Sequence, residues 1–184
     1  MNRFHRWYCR TGHWRRTVEE RLLPWALAGV DLGADVLEIG PGPGLTTDVL
    51  AQRVPRLTAL EIDATLATAL GRRHAAVRVV EGDATAMPFP DASFSGAVAF
   101  TMLHHVPSAA AQDRVLGEVH RVLRPGGRFA GSDSTTSLVF RLAHFRDTMQ
   151  LVDPDGFAER LTRAGFRDAE VRAGRGAFRF RARR

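Results

Sequence analysis

Short apolar runs alternate with segments of helical character from about residue 35 to residue 184, which is typical of an α/β protein with a parallel sheet. Proline and glycine mark the helix ends, as at Pro55 and in the segment Arg124-Pro125-Gly126-Gly127. The predicted strands are Asp35–Ile39, Arg56–Ile62, Val77–Glu81, Phe94–Phe100, Gly127–Ser132, Ala169–Arg172 and Gly176–Arg183. The predicted helices between them are Leu45–Gln52, Ala64–Arg73, Ala109–Leu123 and Asp155–Ala164.

Two segments lie outside this alternation. Residues 1–30 form a predicted N-terminal helical arm, whose helix covers Arg15–Ala28 and follows an aromatic and basic stretch. A further helix is predicted over Ser137–Leu151. The apolar residues that recur there at helical spacing are Leu138, Leu142, Phe145 and Met149. Such a stripe usually packs against a core, and the alternative is a lid over a site.

Size and composition favour one domain, over residues 1–184, with one core. The hydrophobic content of 45% is ordinary for a soluble globular protein, and no apolar run is long enough to cross a bilayer. The first residues lack the apolar centre of a signal peptide, so a cytoplasmic location is expected. The single cysteine, Cys9, forms no internal disulfide, and no Cys/His cluster suggests a metal.

The charge is positive, +6 in total, and all 26 basic residues are arginine. The segment from Arg160 to Arg184 contains nine arginines and two acidic residues, Asp168 and Glu170, which gives it a net charge of +7. A solvated basic face is the favoured interpretation. Nucleic acid or an anionic substrate is the alternative.

The segment after the first predicted strand reads EIGPGPGLTT and places glycines at positions 40, 42 and 44. Glycines let the backbone turn tightly and let a ligand approach closely, and the following helix offers free N–H groups for an anion. A dinucleotide-binding loop has the spacing G-x-G-x-x-G. If the motif begins at Gly40, the position of its third glycine holds Leu45. If it begins at Gly42, that position holds Thr47. The spacing therefore argues against a dinucleotide.

The carboxylates near this loop also argue against a phosphate ligand. Glu38 stands two residues before the first glycine, where it would repel a pyrophosphate at short range. Glu61 ends the second strand and can accept from both hydroxyls of a ribose. Asp83 follows the third strand and could accept from an adenine amino group. S-adenosylmethionine fits this pattern, because its amino group and sulfonium are positive and it has no phosphate.

These motifs resemble the class I S-adenosylmethionine-dependent methyltransferases, of the small-molecule kind called the methyltransferase-11 type. VLEIGPGPGLTT is similar to that family's first motif, LTALEID to its second, and VVEGDATAMPFPDASFSGAVAF to its third and fourth. EVHRVLRPGGRFAGSD resembles the segment leading through its fifth strand. The likeness covers roughly residues 35–134 and then AERLTRAGF, and four motifs in order make it specific.

The resemblance implies a Rossmann-like sheet of seven strands, mostly parallel with the last strand antiparallel, and helices on both faces. It implies S-adenosyl-L-methionine as the cofactor and S-adenosyl-L-homocysteine as its product. Around the methionine part it places the carboxylate and the glycines of the loop, with the last residues of the fourth strand near the amino group. The residues carried over are Glu38, Gly40, Gly42 and Gly44 for the methionine part, Glu61 for the ribose, Ile62, Asp83 and Ala84 for the adenine, and Phe100 and Thr101 for the amino group.

The segment after the fourth strand faces the transferred methyl group in this family, and here it reads FTMLHHVP. Enzymes that methylate the amines of bases carry N-P-P-Y or a relative there, so this departure argues against nucleic acid. His104 and His105 are the candidate catalytic residues, because a neutral histidine can take a proton as the methyl arrives. They could instead cap a helix or pack against the loop, and methyl transfer that depends on alignment alone needs no base.

The acceptor pocket is expected between the two outlying segments, whose aromatic side chains suit a small, mostly apolar molecule. The candidate substrate residues are Trp7, Tyr8, Trp14, Phe140, His144 and Phe145. An N-terminal arm that simply packs on the sheet is the alternative. The sequence therefore predicts transfer of a methyl group to an O, N or C atom of a small molecule. An RNA methyltransferase and a non-catalytic cofactor-binding module are the other two interpretations.

Overall fold

A computed structural model of the chain describes residues 12–135, 149–174 and 176–184. Seven strands form one sheet in the order β3-β2-β1-β4-β5-β7-β6. All neighbours pair in parallel except β7, which runs antiparallel to both β5 and β6. The strands are β1 Asp35–Ile39, β2 Arg56–Glu61, β3 Arg78–Glu81, β4 Phe94–Phe100, β5 Leu123–Ser134, β6 Arg167–Ala173 and β7 Ala177–Arg183. The predicted fold class is therefore confirmed.

Six α-helices are described, together with two other helical turns. Capping side chains begin three of the described helices. Asp63 accepts from the N–H groups of Thr65 and Leu66, Ser108 accepts from that of Ala111, and Asp153 accepts from that of Asp155. The helices are α1 Gly12–Thr17, α2 Leu23–Ala26, α3 Leu45–Leu50, α4 Ala64–Arg73, α5 Ala109–Val122 and α6 Pro154–Arg163. A π-helical turn, Val18–Leu22, joins α1 to α2, and a 3₁₀ turn, Leu103–His105, follows β4.

The helix predicted over Arg15–Ala28 is present as α1, the π turn and α2 in succession. The widened turn, Val18–Leu22, ends two residues before Pro24. Proline has no N–H to donate to the preceding turn, and its ring crowds the carbonyl there, so the helix adjusts its pitch. The helix predicted over Ser137–Leu151 falls mostly outside the described residues, and residues 149–151, which are described, are not helical.

Two apolar clusters pack against the two faces of the sheet. One joins the sheet to α5 and α6 and contains Phe129, Phe157, Phe166, Phe178 and Phe180. The other joins the opposite face to the N-terminal helical segment, α3 and α4. Side chains alternate between the clusters along a strand, as Leu37 and Ile39 face the first while Val36 faces the second.

The fifth strand is longer than predicted, Leu123–Ser134 instead of Gly127–Ser132. Leu123 pairs with Phe94, and the next pair is Arg128 with Gly96, so the segment with Pro125 and Gly126 forms a bulge within the strand. Because the sheet is mostly parallel, the carboxyl ends of β1, β2, β3 and β4 lie at one edge. No described helix is long and apolar enough to cross a membrane.

Candidate functional site

A cavity of about 650 Å³ opens at the carboxyl ends of the strands. Ligands of open α/β sheets bind at this edge, outside the strand ends. The walls come from the glycine loop, from the segments after β2 and β3, and from the start of α5. The lining residues are Gly40, Gly42, Leu60, Glu61, Ile62, Asp63, Leu66, Gly82, Asp83, Ala84, Thr85, Met102, His105, Val106, Pro107, Ala111, Arg114 and Val115.

The three glycines of the loop have positive φ angles of 61°, 55° and 83°, which explains why the loop needs glycine. They differ in their surroundings. Gly40 lies against Met102 and Gly44 against Leu70 and Arg73, so a Cβ atom at Gly44 would come within 2.3 Å of Leu70. At Gly42 no described atom lies within 4 Å of the position that a Cβ atom would occupy. Gly42 therefore borders open cavity, whereas Gly44 is required by packing.

Glu61 faces the cavity from the end of β2 and also holds the loop. Its Oε2 atom accepts from the N–H of Gly42 at 2.8 Å, and its Oε1 atom accepts from the N–H of Asp63 at 3.0 Å. A carboxylate has about four acceptor positions, so two bonds leave room for a ligand's hydroxyl groups. The side chain is 5% exposed, which strengthens any hydrogen bond it accepts.

Glu38 is buried behind the loop and lines neither of the cavities at this edge. Its two oxygens accept from the hydroxyl groups of Thr46 and Thr47, the second at 2.7 Å. Burial raises the pKa of Glu38 to about 7, against the opposing effect of the two hydroxyls, and the charges of Asp48 and Glu61 raise it further. In the free protein this carboxyl therefore titrates near neutrality.

The cavity wall is acidic and carries one exposed apolar side chain. Among its described lining residues are the carboxylates of Glu61, Asp63 and Asp83 and one arginine, Arg114. The Oδ1 atom of Asp83 accepts from the N–H of Thr85 at 2.7 Å. Ile62 is 69% exposed, the largest exposure of any described large apolar residue. Such a wall favours a cationic ligand with hydroxyl groups and a flat apolar part over a phosphate.

A second, smaller cavity of about 90 Å³ lies between the glycine loop and the N-terminal helical segment. It shares Gly40, Gly42, Met102 and His105 with the larger cavity. Its other lining residues are Val18, Leu22, Pro41, Pro43, Leu45, Thr46, Phe100 and Thr101. The two cavities therefore meet at Met102 and His105.

The two predicted catalytic histidines have different surroundings. His104 is 1% exposed, and its Nδ1 atom lies 2.5 Å from the Oδ1 atom of Asp133, at the end of β5. The Oδ2 atom of Asp133 accepts from the backbone N–H of His104 at 3.2 Å. His105 is partly exposed and lines both cavities. The 3₁₀ turn thus anchors one ring in the core and presents the next one to the site.

The strand end before this turn is strained. Thr101 has a φ angle of 50°, which is rare for a β-branched residue. Its N–H donates to the carbonyl of Ser132 at 2.8 Å, which ties the end of β4 to β5. Backbone strain of this kind costs about 1–3 kcal/mol and clusters at functional sites.

The predicted site residues are thus brought together only in part. Gly40, Gly42, Glu61, Ile62, Asp83, Ala84, Phe100, Thr101 and His105 line one or both cavities; Glu38, Gly44 and His104 lie behind them. Trp7, Tyr8, Phe140, His144 and Phe145, together with the side chain of Trp14, lie outside the described residues.

Sequence reasoning missed several wall residues. Val18 and Leu22 are one helical turn apart, a spacing that could have assigned them to the face over the loop. Met102 lies two residues after Phe100, the end of the predicted fourth strand. Asp133 could have been noticed only as a polar residue at the end of the fifth strand. Its partner His104 is 29 residues away in the sequence, so no local pattern connects the two.

Residues 37–131 match the protein family described as "Methyltransferase domain". The demethylmenaquinone methyltransferase of Thermus thermophilus is 35% identical over 117 residues, covering 58% of this chain and 52% of the relative. The fatty-acid O-methyltransferase of Mycolicibacterium smegmatis is 38% identical over 106 residues, covering 55% of this chain and 38% of the relative. The chain thus spans about half, or less, of the length of these relatives.

Among solved structures, a SAM-dependent methyltransferase from Aquifex aeolicus matches with a TM-score of 0.70 and 17% identity. The match covers 93% of this chain and 97% of the other. At this identity the likeness concerns the fold. It supports the sheet topology described above over nearly the whole length of both chains.

The buried carboxyl of Glu38 generates a prediction for stability. Because its folded-state pKa lies above the ordinary value of 4.5, stability from this group is fully present below pH 4.5 and is lost as pH rises through about 7. Between pH 5 and pH 8 we expect the free wild-type protein to lose about 2 kcal/mol more unfolding free energy than Glu38→Gln. Urea unfolding at both pH values measures this. Parallel pH profiles of the two proteins would contradict it.

Proposed function

We propose that this chain, which belongs to the methyltransferase domain family, transfers a methyl group from S-adenosyl-L-methionine to an O, N or C atom of a small, mostly apolar molecule. Family membership rests on the match over residues 37–131, about half of the chain. The observation that carries the proposal is the acidic cavity at the strand ends, where Glu61 and Gly42 meet. Relatives named for a quinone and a fatty acid support an apolar acceptor.

The residues of the larger cavity fit this cofactor. The carboxylate of Glu61 would accept from the ribose hydroxyls, and Gly42 leaves the space that the methionine part needs. Ile62 offers an exposed apolar surface for the adenine, and Asp83 with the backbone of Ala84 would read its edge. When bound, S-adenosylmethionine supplies an electrophilic methyl group on a positively charged sulfur. Glu38 would act on the loop from behind, by holding Thr46 and Thr47.

The small cavity is our candidate for the place where donor and acceptor meet. Phe100 and Thr101 line it at the end of β4, and Val18 and Leu22 close it from the N-terminal side. These walls are mainly apolar and would exclude water from the reacting atoms. The roles of Trp7, Tyr8, Trp14, Phe140, His144 and Phe145 in the acceptor site stay predictions.

The histidines divide two tasks in this proposal. His105 lines both cavities, so it is the residue that would accept a proton from a hydroxyl, an amine or an acidic carbon of the acceptor. His104 would position the turn through its two contacts with Asp133. Alignment of acceptor and methyl supplies the larger part of the rate in either case.

Part of the positive charge of the arginine-rich C-terminal segment is paired within the fold. Arg160 pairs with Asp113 at 2.7 Å, and Arg181 pairs with Glu170 at 2.7 Å. Arg163 and Arg172 also lie within 4.0 Å of a carboxylate. These pairs engage four of the segment's nine arginines and offset part of its charge. The segment FTMLHHVP after β4 is the stronger argument against a nucleic-acid base, and a small-molecule acceptor remains our proposal.

The direct test is methyl transfer itself. The purified protein would be incubated with S-adenosylmethionine carrying an isotopically labelled methyl group and with three acceptor sets: hydroxylated quinols, free fatty acids and transcribed RNA. We expect label in a quinol or fatty-acid product, detected by mass spectrometry. Label in RNA alone would favour an RNA methyltransferase. Small molecules extracted from cells would serve as a fourth acceptor set. Binding of the cofactor without a labelled product in any of the four would favour a non-catalytic module.

Glu61 should carry a large part of the cofactor affinity. Hydrogen bonds to a charged group contribute about 1.5–3 kcal/mol each, so Glu61→Ala is expected to weaken S-adenosylhomocysteine binding at least about tenfold. Isothermal titration calorimetry measures this. Glu81→Ala is the matched control, because Glu81 pairs with Glu61 in register at the end of β3 and lies outside the cavity lining. Equal affinities for both variants and wild type would remove Glu61 from the site.

His105 should contribute to the rate of methyl transfer to an identified acceptor. We expect His105→Ala to lower kcat about 10²-fold or more with nearly unchanged cofactor affinity, because a general base contributes to the rate and not to donor binding. His120→Gln is the control, since His120 packs against Phe166, away from the lining of both cavities. If the single-turnover rate of His105→Ala stays within a few-fold of wild type, catalysis depends on alignment alone.

A further inference from the structure

The C-terminal end of α4 lies behind the glycine loop, and Arg73 contacts the backbone of that loop. One guanidinium nitrogen, Nη2, donates to the carbonyl of Pro43 at 2.8 Å and to that of Gly44 at 3.2 Å. A Cβ atom at Gly44 would come within 2.4 Å of the same nitrogen. The guanidinium therefore lies directly against the loop, at the loop glycine with the least room for a side chain.

Asp48 joins this contact to two other elements. Its Oδ1 atom lies 3.2 Å from Nη2 of Arg73 and 2.6 Å from Nε2 of His74. Its Oδ2 atom accepts from Arg15, in α1, at 2.7 Å. The carboxylate is only 13% exposed. Asp48 thus links the helix after the loop, the end of α4 and the N-terminal segment that covers the small cavity.

We infer that Arg73 is a positioning residue for the cofactor loop, and that it acts through the carbonyls of Pro43 and Gly44 and through Asp48. The inference rests on the proposed function. A peptide group is planar, so a carbonyl held from behind fixes the direction of the N–H in the same peptide. The contacts of Arg73 therefore set the peptides that lead into Leu45, a residue of the small cavity. A loop held in this way loses less conformational entropy when the ligand binds.

A purely local role for Arg73 would give a different result. A basic residue in the last turn of a helix stabilises that helix through its dipole, and Arg72 and Arg73 both occupy the last turn of α4. No hydrogen bond or ion pair joins Arg72 to any other residue in the described part of the chain. Arg72 thus shares the position and the charge of Arg73 without its loop contacts, which makes it a matched control.

The experiment measures S-adenosylhomocysteine affinity by calorimetry for wild type, Arg73→Met, Arg73→Lys and Arg72→Met. We expect Arg73→Met to bind about tenfold more weakly, because a flexible loop must then be ordered by the ligand. Arg73→Lys should have an affinity between those of wild type and Arg73→Met, since a single ammonium cannot reproduce the planar guanidinium fork. Arg72→Met should stay within about twofold of wild type, because its charge alone is screened at the surface.

Amide hydrogen exchange gives a second readout that needs no ligand. Arg73→Met should speed exchange at Gly44, whose N–H is bonded to the carbonyl of Pro41, and leave the central strands unchanged. If Arg73→Met fails to fold, Arg73→Lys carries both measurements. Unchanged affinity and unchanged exchange, or equal losses for Arg72→Met and Arg73→Met, would overturn the inference. A wild type that does not bind S-adenosylhomocysteine would instead overturn the proposed function, while faster exchange at Gly44 would still show that Arg73 positions the loop.

Discussion

The site depends on a glycine loop held between two carboxylates from neighbouring parallel strands. Glu38 near the end of β1 holds the loop from behind, through the hydroxyls of Thr46 and Thr47. Glu61 at the end of β2 holds it from the cavity side, through the N–H of Gly42. Because β1 and β2 pair in parallel, the two acidic side chains reach the same edge of the sheet. Burying Glu38 costs stability, and its two threonine partners offset only part of that cost.

The same carboxylates decide what the cavity can accept. Three carboxylates, of Glu61, Asp63 and Asp83, and one arginine, Arg114, are among its described lining residues, so a pyrophosphate would enter an unfavourable field. A ligand with a positive charge, ribose hydroxyls and no phosphate meets acceptors instead of repulsion. Toward β4 the chemistry changes, because the smaller cavity is closed mainly by apolar side chains. The boundary between these environments, at Met102 and His105, is where a methyl group would pass from donor to acceptor in the proposed reaction.

Much of the fold could be predicted from periodicity and from turn residues. Strands Asp35–Ile39 and Phe94–Phe100 and helix Ala64–Arg73 have the predicted bounds. The glycine spacing and the polar residues at strand ends pointed to the residues that border the cavity. The features that could not be predicted depend on contacts between residues far apart in the sequence. The bulge that lengthens β5 depends on pairing with β4, and the His104–Asp133 pair depends on two strand ends meeting. Arg73 lies on an exposed helix end, where nothing in the local sequence distinguishes it from Arg72.

In the proposed site, the carboxylates beside the loop select S-adenosylmethionine over dinucleotides. The most direct measurement is a calorimetric titration of the wild-type protein with S-adenosylhomocysteine and, in parallel, with NAD⁺. We predict saturable binding of S-adenosylhomocysteine at one site per chain and no detectable binding of NAD⁺ at the same concentrations. Comparable binding of NAD⁺, or no binding of S-adenosylhomocysteine, would contradict the claim.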